Sequence, residues 1–295
     1  MGEQTSTKTN INWFPGHMAK TRRMIAENLK DVDVVFELLD ARIPQSSENP
    51  EIAGLTAGKP RLTLLSKTSL ADPLVTENWK VYFHSVQRPC IFYDCRTGEG
   101  ISEIAPAMRR LCADKLQKYK ERGMKGRKLK AMIVGIPNVG KSSLINRLSA
   151  ANKAKVEDRP GVTLNKQWVA TSLGFDLLDM PGVLWPKFGD RTIGENLALT
   201  GAIRDEIMDT EMLASVLCSR LRGPYLNLFC DRYRLNPEEI ESLTSDELVA
   251  AVGRRRGFLV SGGEVDFLRT AGMLLDEFRA GKIGRITLES PEKAP

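Results

Sequence analysis

The sequence predicts an α/β fold, in which a mostly parallel β-sheet with helices on both faces is followed by a small all-α domain. Up to about residue 190, short apolar runs rich in valine and leucine alternate with segments of helical periodicity. This alternation is typical of parallel sheets covered by helices. After residue 190, strand-like runs are scarce and capped helical segments follow one another. We therefore expect an α/β domain over residues 11–190 and a helical domain over residues 191–290.

Individual elements follow from hydrophobic periodicity and helix-start signals. A strand buried on both faces is a nearly continuous apolar run, and such runs lie at 32–42, 60–67, 88–95, the start of 129–150, and 174–182. Helical spacing, with N-cap signals such as N-P-E-E and T-S-D-E, predicts helices at 21–32, 100–123, the end of 129–150, 209–223, 236–243, 244–257 and 263–281.

The charge of +6 is unevenly distributed along the chain. Residues 1–185 contain 28 Lys/Arg and 19 Asp/Glu, whereas residues 186–295 contain 15 and 18. The excess is greatest at residues 109–130, with ten basic residues against Asp114 and Glu121. Such a run is either a solvated helix face or a contact surface for a polyanion, and the ratio favours a polyanion, most simply nucleic acid.

Cysteine usage and the N-terminus bear on the compartment. The five cysteines form no C-x-x-C pair and no zinc-like spacing with histidine, so we expect reduced thiols in a cytoplasmic protein. No apolar stretch approaches the roughly 20 residues that span a bilayer. The first ten residues lack signal or transit features. MGEQTS formally fits a myristoylation pattern, but the chain gives no other membrane cue, and we expect no membrane partner.

The segment Gly135–Ser142 matches G-x-x-x-x-G-K-[ST] and lies between an apolar strand and a helix, the context that a phosphate-binding P-loop requires. Glycines let backbone N–H groups converge on phosphate oxygens, the lysine neutralises β- and γ-phosphate charge, and the serine hydroxyl can bind Mg²⁺. The nucleotide-binding candidates here are Asn138, Val139, Gly140, Lys141, Ser142 and Ser143.

Two further elements after the P-loop fit a phosphate site that holds Mg²⁺. Asp179-Met-Pro-Gly182 follows an apolar strand, so Asp179 can hold the ion through water and the Gly182 amide can contact the γ-phosphate. Between them, "RPGVT" offers Thr163 as a second Mg²⁺ ligand and a nucleotide contact, on a loop that can become ordered on a triphosphate.

The order of these motifs resembles the circularly permuted GTPases of the YlqF/RbgA family, the ribosome biogenesis GTPase A proteins. No N-K-x-D base motif follows residue 182, and the candidate "LLSKTSLAD" (64–72) precedes the P-loop, followed by "YDCRTGEGI" (93–101). The resemblance also includes "NWFPGHMAKT", "LLDARIP", "GIPNVGKSSLINRL", "RPGVT" and "LDMPGVLWPK". It implies a circularly permuted P-loop GTPase domain that binds GTP and GDP with Mg²⁺.

The base motif departs from the family pattern. Where N-K-x-D is usual, this chain has Ser66-Lys67-Thr68-Ser69, and Asp94-Cys95 occupies the element that backs the guanine ring. A serine at the last position offers a hydroxyl in place of a carboxylate. We therefore expect weaker discrimination of guanine, by about 1–3 kcal/mol, the cost of a poorly paired buried polar group.

The resemblance implies roles for two further residues. GTPases often orient the attacking water with a glutamine after D-x-x-G, but this chain has Val183 there. The resemblance assigns that catalytic function to His17 in "FPGH"; the alternative is a histidine that caps a turn and packs on Trp13. Asn138 is a candidate ligand for K⁺, although asparagine also suits the loop for its backbone conformation alone.

The resulting hypothesis is a GTPase required late in assembly of the large (50S) ribosomal subunit. It binds the precursor particle in the GTP state through ribosomal RNA and ribosomal proteins, hydrolyses slowly alone, and leaves after ribosome-stimulated hydrolysis. The basic run 109–130 and Arg254–Arg256 would contact RNA phosphates, and we expect a monomer. Two alternatives stay open: a GTPase switch acting on a protein partner without RNA, and a P-loop ATPase or kinase.

Overall fold

The computed structural model describes residues 16–124, 126–149, 167–186, 188–205 and 208–291. Its described strands form one six-stranded sheet in the order β3-β2-β1-β4-β6-β5. These strands are β1 (Val34–Asp40), β2 (Arg61–Ser66), β3 (Cys90–Phe92), β4 (Lys130–Gly135), β5 (Gln167–Ala170) and β6 (Asp176–Asp179).

The sheet is parallel except at one edge, which confirms the predicted mostly parallel arrangement. β1 pairs in parallel with β2 and β4, β2 with β3, and β4 with β6, whereas β5 is antiparallel to β6. The register places Asp40 beside Ser66 and Leu38 beside Gly135. The carboxyl ends of β1, β2 and β4 therefore lie side by side along the carboxyl-terminal edge of the sheet, where open α/β folds bind ligands.

Several of the helices begin at capping polar residues or prolines, among them α3, α10 and α11. Asn236 and Thr244 cap two predicted helices, and Thr244 forms a full capping box with Glu247. The α-helices are α1 (Gly16–Asn28), α2 (Pro50–Leu55), α3 (Pro73–Ser85), α4 (Ile104–Leu111), α5 (Ala113–Glu121), α6 (Lys141–Leu148), α7 (Arg191–Leu199), α8 (Thr210–Arg222), α9 (Leu226–Tyr233), α10 (Pro237–Ile240), α11 (Ser245–Arg256) and α12 (Phe267–Arg279).

Some elements differ from the prediction. The helix expected over 100–123 is a 3₁₀ turn followed by α4 and α5. Pro106 has no N–H to donate to an earlier turn, so the regular helix begins only just before it. The bend at Cys112 brings two side chains to Asp33. The Cys112 Sγ lies 3.9 Å from the Asp33 backbone carbonyl, and the Tyr119 hydroxyl of α5 donates to the Asp33 carboxylate at 3.0 Å.

Other elements were not predicted at all. Helices α2, α3, α7 and α9 have no counterpart among the predicted segments, and α1 begins five residues before the predicted residue 21. Strand β5 is an edge strand and is mostly exposed. It therefore lacks the apolar run that marks the buried strands.

One continuous cluster of buried apolar side chains joins the sheet to the helices after residue 190. It includes Val34 and Ile133 of the sheet and Leu213 and Leu274 of α8 and α12. In the second half, α8 packs against α7, α9, α11 and α12. Among the described residues, no helix has the length and apolar character needed to cross a bilayer.

Candidate nucleotide-binding site

The phosphate loop connects β4 to α6. Gly140, directly before α6, has a φ of 102°, a left-handed conformation that is strained for residues with a side chain. The Lys141 ammonium folds back and donates to the carbonyls of Gly135 at 3.2 Å and Ile136 at 2.7 Å. Ser142 and Ser143, both half-buried, follow in the first turn of α6. The N–H groups of this turn form a site suited to an anion.

The charge of Lys141 is poorly compensated in the free protein. Burial lowers the pKa of its ammonium, Asp179 opposes this and Lys67 adds to it, and the net result is a fall from 10.5 to about 8. A buried cation of this kind gains stability when an anion replaces the missing solvation. The phosphate loop is therefore suited to a di- or triphosphate.

The D-x-P-G turn packs directly on the phosphate loop. A Cβ atom on Gly182 would lie 2.9 Å from both the Cα and the backbone N of Pro137, so only glycine allows this approach. Val183, the next residue, donates its N–H to the Gly135 carbonyl at 3.1 Å. Asp179 lies close enough to Lys141 to act on its pKa. This carboxylate and the Ser142 hydroxyl are the oxygen donors that Mg²⁺ prefers, so the residues fit that ion.

The predicted base motif is bonded to the phosphate loop. The Ser66 hydroxyl, at the end of β2, donates to the Val139 carbonyl at 2.6 Å. The Lys67 ammonium donates to the Asn138 carbonyl at 2.6 Å and to the Asp40 carboxylate at 3.0 Å. These bonds fix the position of residues 66–69 relative to the phosphate loop, although 71 residues separate Lys67 from Asn138.

The second base element follows β3 and contacts the first one. The Asp94 carboxylate accepts from the backbone N–H of Ser69 at 3.0 Å and is 2% exposed. Thr68 is buried in the same turn. Cys95 is half-buried, and burial followed by the charge of Asp94 raises the pKa of its thiol to about 11. This thiol therefore stays protonated at neutral pH.

Comparison with known proteins agrees with this geometry. The family described as 50S ribosome-binding GTPase matches residues 130–218. Ribosome biogenesis GTPase A from Bacillus cereus is 45% identical over 96% of this chain and 95% of its own length. Its counterpart from Priestia megaterium is 46% identical over 96% of this chain and 98% of its own length.

The chain belongs to the ribosome biogenesis GTPase A family. GNP-bound YlqF from T. maritima has the same fold, with a TM-score of 0.62 at 24% identity, covering 92% of this chain and 99% of that one. The resemblance that the motif order indicated is thus confirmed, as is the circularly permuted P-loop GTPase fold. Here the strands that carry the base elements, β2 and β3, precede the phosphate strand β4.

Sequence reasoning assigned no role to the ion pair at the end of β1. The Arg42 guanidinium bonds the Asp40 carboxylate at 2.8 and 2.9 Å, and both side chains are 2% exposed. Burial acts to raise the pKa of Asp40, but Arg42 and Lys67 hold it far below its ordinary value. The permanently ionised Asp40 thereby fixes the Lys67 ammonium beside the phosphate loop. The signal in the sequence was the D-A-R that ends a predicted strand.

Three other predicted residues have different outcomes. The Asn138 amide donates to the Gly201 carbonyl at 2.7 Å, so its nitrogen bonds the start of the helical part of the chain. Thr163 lies outside the described residues. For His17 the structure describes only the backbone, which lies in the first turn of α1.

Proposed function

We propose that this protein is a GTPase that acts at a late step of large (50S) ribosomal subunit assembly. It binds the precursor particle in the GTP state and leaves after hydrolysis that the particle stimulates. The observation that carries the proposal is the pair of bonds from Ser66 and Lys67 to the phosphate loop, which join base and phosphate elements in the permuted chain order. The names of the curated relatives support the ribosomal setting.

The chain's own residues account for phosphate binding. Lys141 exchanges its two carbonyl contacts for phosphate oxygens, and the N–H groups of Val139, Gly140, Ser142 and Ser143 surround them. The Ser142 hydroxyl and, through water, Asp179 would hold Mg²⁺, with Thr163 as a further proposed ligand. When bound, the ion neutralises charge on the β- and γ-phosphates. The Gly182 amide would then detect the γ-phosphate.

The catalytic assignment to His17 is a proposal that one burial and one contact support. Val183, at the position after D-x-x-G, is fully buried and cannot polarise a water molecule. The sulfur of Met18, the neighbour of His17, accepts from the Leu184 N–H at 3.3 Å. The start of α1 therefore lies against the segment that follows Gly182, and we propose that His17 acts from there on a water near the γ-phosphate.

The proposed RNA-binding surface is narrower than the basic run suggested. Some of the ten basic residues are engaged by neighbouring side chains of the protein: Lys115 pairs with Asp33 at 2.5 Å, and Arg127 lies over the Tyr119 ring at 4.6 Å. The basic residues that are exposed on α4, α5 and the following turn are Arg109, Arg110, Lys118, Lys120 and Arg122. Together with exposed Arg254 and Arg255 at the end of α11, they are proposed to contact ribosomal RNA phosphates.

The deciding experiment is GTP turnover by the purified protein with and without large ribosomal subunits, in potassium buffer. We expect slow turnover alone, a large stimulation by subunits, and loss of the stimulation in His17→Ala. His84→Ala is the matched control, because His84 is the other histidine and lies exposed on α3. Normal GTP binding without stimulation by mature or precursor subunits would contradict the ribosomal role.

Two changes of buffer test the remaining assignments. Raising the salt concentration should weaken subunit binding steeply if RNA phosphates are the contact, whereas a shallow dependence would indicate a protein partner. Replacing K⁺ by Na⁺ should slow stimulated turnover if Asn138 holds K⁺, and equal rates would remove that assignment. Sedimentation of the purified protein checks the expected monomer.

A further inference from the structure

The base motif of this chain has Ser69 where the family has the carboxylate that recognises guanine. The buried carboxylate of Asp94 lies next to Ser69. Asp94 accepts from the Ser69 N–H at 3.0 Å through Oδ2, and from the N–H groups of Arg96 at 2.7 Å and Thr97 at 3.2 Å through Oδ1. The charge that position 69 has lost is thus present on the adjoining loop.

This carboxylate is held in its ionised form and bonds the backbone N–H of Ser69, next to the serine hydroxyl. Burial works to raise the pKa of Asp94, but the Ser69 hydroxyl and the three backbone N–H groups outweigh it, so the pKa lies below its ordinary value. The Ser69 Oγ atom is buried, and among the described residues it has no hydrogen-bond partner that meets normal bond geometry in the nucleotide-free protein. A hydroxyl next to a fixed anion directs its proton toward that anion, which leaves its lone pairs for a second partner.

A cavity adjoins Ser69 and the loop that follows Asp94. Its volume is about 440 Å³, which lies in the range of pockets that hold small molecules. The cavity borders the same base motif that Ser66 and Lys67 join to the phosphate loop. Its walls come from both base elements and from the end of α12: Ser69, Leu70, Arg96, Thr97, Ala280 and Gly281.

We propose that Ser69 and Asp94 together replace the missing carboxylate and determine guanine specificity. The Ser69 hydroxyl donates to Asp94 and accepts from the 2-amino group of guanine, and Asp94 is the positioning residue that keeps the hydroxyl in this orientation. The proposal rests on the proposed function, since it requires a guanine nucleotide with its phosphates at Lys141. It adds which atoms of the base are read.

The test compares three nucleotides that differ at ring position 2. GDP has an amino group there, IDP has hydrogen, and XDP has a carbonyl oxygen. Titration calorimetry should show the wild-type protein binding GDP about tenfold more tightly than IDP, the value of one buried hydrogen bond to a polarised partner. XDP should bind more weakly still, because its oxygen faces the lone pairs of Ser69.

Two substitutions show whether Ser69 and Asp94 recognise the base or only stabilise the loop. Ser69→Ala should lower GDP affinity about tenfold and leave IDP affinity unchanged, so the preference for GDP over IDP disappears. In Asp94→Asn, the amide N–H group can donate to the Ser69 oxygen, so the hydroxyl then points its proton at the base. A hydroxyl in that orientation favours the carbonyl oxygen of XDP, so the ratio of GDP affinity to XDP affinity should fall. The double variant Ser69→Asp/Asp94→Asn returns one carboxylate to the site and should recover the preference for GDP. Ser85→Ala, on the exposed end of α3, is the matched control.

The ratios distinguish this proposal from the proposed function. If Ser69→Ala lowers the affinities for GDP, IDP and XDP by one common factor, or changes none of them, Ser69 does not read the base and the proposal is wrong. If the wild-type protein binds none of the three, the proposed function itself fails. Lys141→Ala should lower the affinities for GDP, IDP and XDP by the same factor, because all three nucleotides have the same phosphates.

Discussion

Replacing Lys141 by methionine is expected to stabilise the nucleotide-free protein while abolishing GDP binding. Methionine keeps most of the length and apolar character of the side chain but removes the ammonium group. That group is 8% exposed and lies in a loop where burial and Lys67 both disfavour its charge. The positive charge of Lys141, which phosphate binding requires, thus lowers the free energy of unfolding of the nucleotide-free protein.

The magnitude follows from the pKa. A fall from 10.5 in the unfolded chain to about 8 in the folded protein corresponds to about 3 kcal/mol at about 1.4 kcal/mol per pH unit. The carbonyls of Gly135 and Ile136 lose a donor in the variant, which offsets about 1 kcal/mol. We therefore expect the free energy of unfolding to rise by about 2 kcal/mol at pH 7.

The pH dependence gives the sharper test. Between about pH 8 and 10.5 the unfolded wild-type chain binds more protons at Lys141 than the folded protein does, so wild-type stability increases with pH in this window. The advantage of Lys141→Met is thus complete below about pH 8 and declines above it by about 1.4 kcal/mol per pH unit.

Urea unfolding of the nucleotide-free protein, followed by the fluorescence of its four tryptophans, measures this difference. Lys118→Met, an exposed lysine on α5, is the matched control and should show little difference at either pH. A Lys141→Met variant that is less stable at pH 7, with a difference that stays constant to pH 9.5, would refute the reasoning.

Three further predictions concern the same edge of the sheet. GDP should bind about tenfold more weakly at pH 9 than at pH 7, because Lys141, with a pKa of about 8, must regain a proton on binding; calorimetry should show a flatter profile for Lys141→Arg, and parallel profiles would contradict this. Gly182→Ala should lower the free energy of unfolding by about 1–3 kcal/mol by overpacking against Pro137. Gly54→Ala, with open space around its Cβ position, is its control in urea unfolding, and equal midpoints would count against the clash. Arg285→Ala removes two bonds, to the carbonyls of Thr68 at 3.0 Å and Ala71 at 2.8 Å, so amide exchange at residues 68–72 should speed up. Exchange in β1 should not change, Arg254→Ala should leave both unaffected, and unaltered exchange at 68–72 would show that the bonds do not hold this turn.

Much of the fold was predictable because its signals are local. Apolar runs marked β1, β2, β3, β4 and β6, since strands buried on both faces are almost wholly apolar. β5 escaped because it is an exposed edge strand, and α2, at six residues, is too short to show a helical period. The phosphate loop was likewise predictable, because its chemistry lies within eight consecutive residues.

The parts of the site that escaped prediction depend on pairing between distant segments. Asp40 fixes Lys67 only because the register of β1 on β2 sets Asp40 beside Ser66. Asp94 meets Ser69 because β3 pairs with β2 one strand further out. A sequence shows neither register nor order of strands, so these carboxylates could not be assigned partners from the residue pattern.

Both ends of the proposed nucleotide site are bonded to the helical part of the chain, the base turn through the segment after α12 and the phosphate loop through the residue Gly201. The Ile286 N–H donates to the Leu70 carbonyl at 2.9 Å, and the Glu289 carboxylate accepts from the Gln45 N–H at 2.8 Å. At the other end, the Asn138 amide reaches Gly201 just after α7. Any shift of the base turn or the phosphate loop must therefore break these bonds or move the helices with it. The polypeptide also runs from the D-x-P-G turn directly into α7. A movement of Gly182 can therefore reach the helices through the covalent chain as well as through these bonds. This arrangement gives the nucleotide state three separate connections to the helices, and Arg285→Ala would weaken one of them, at the base turn, while leaving the phosphate loop intact.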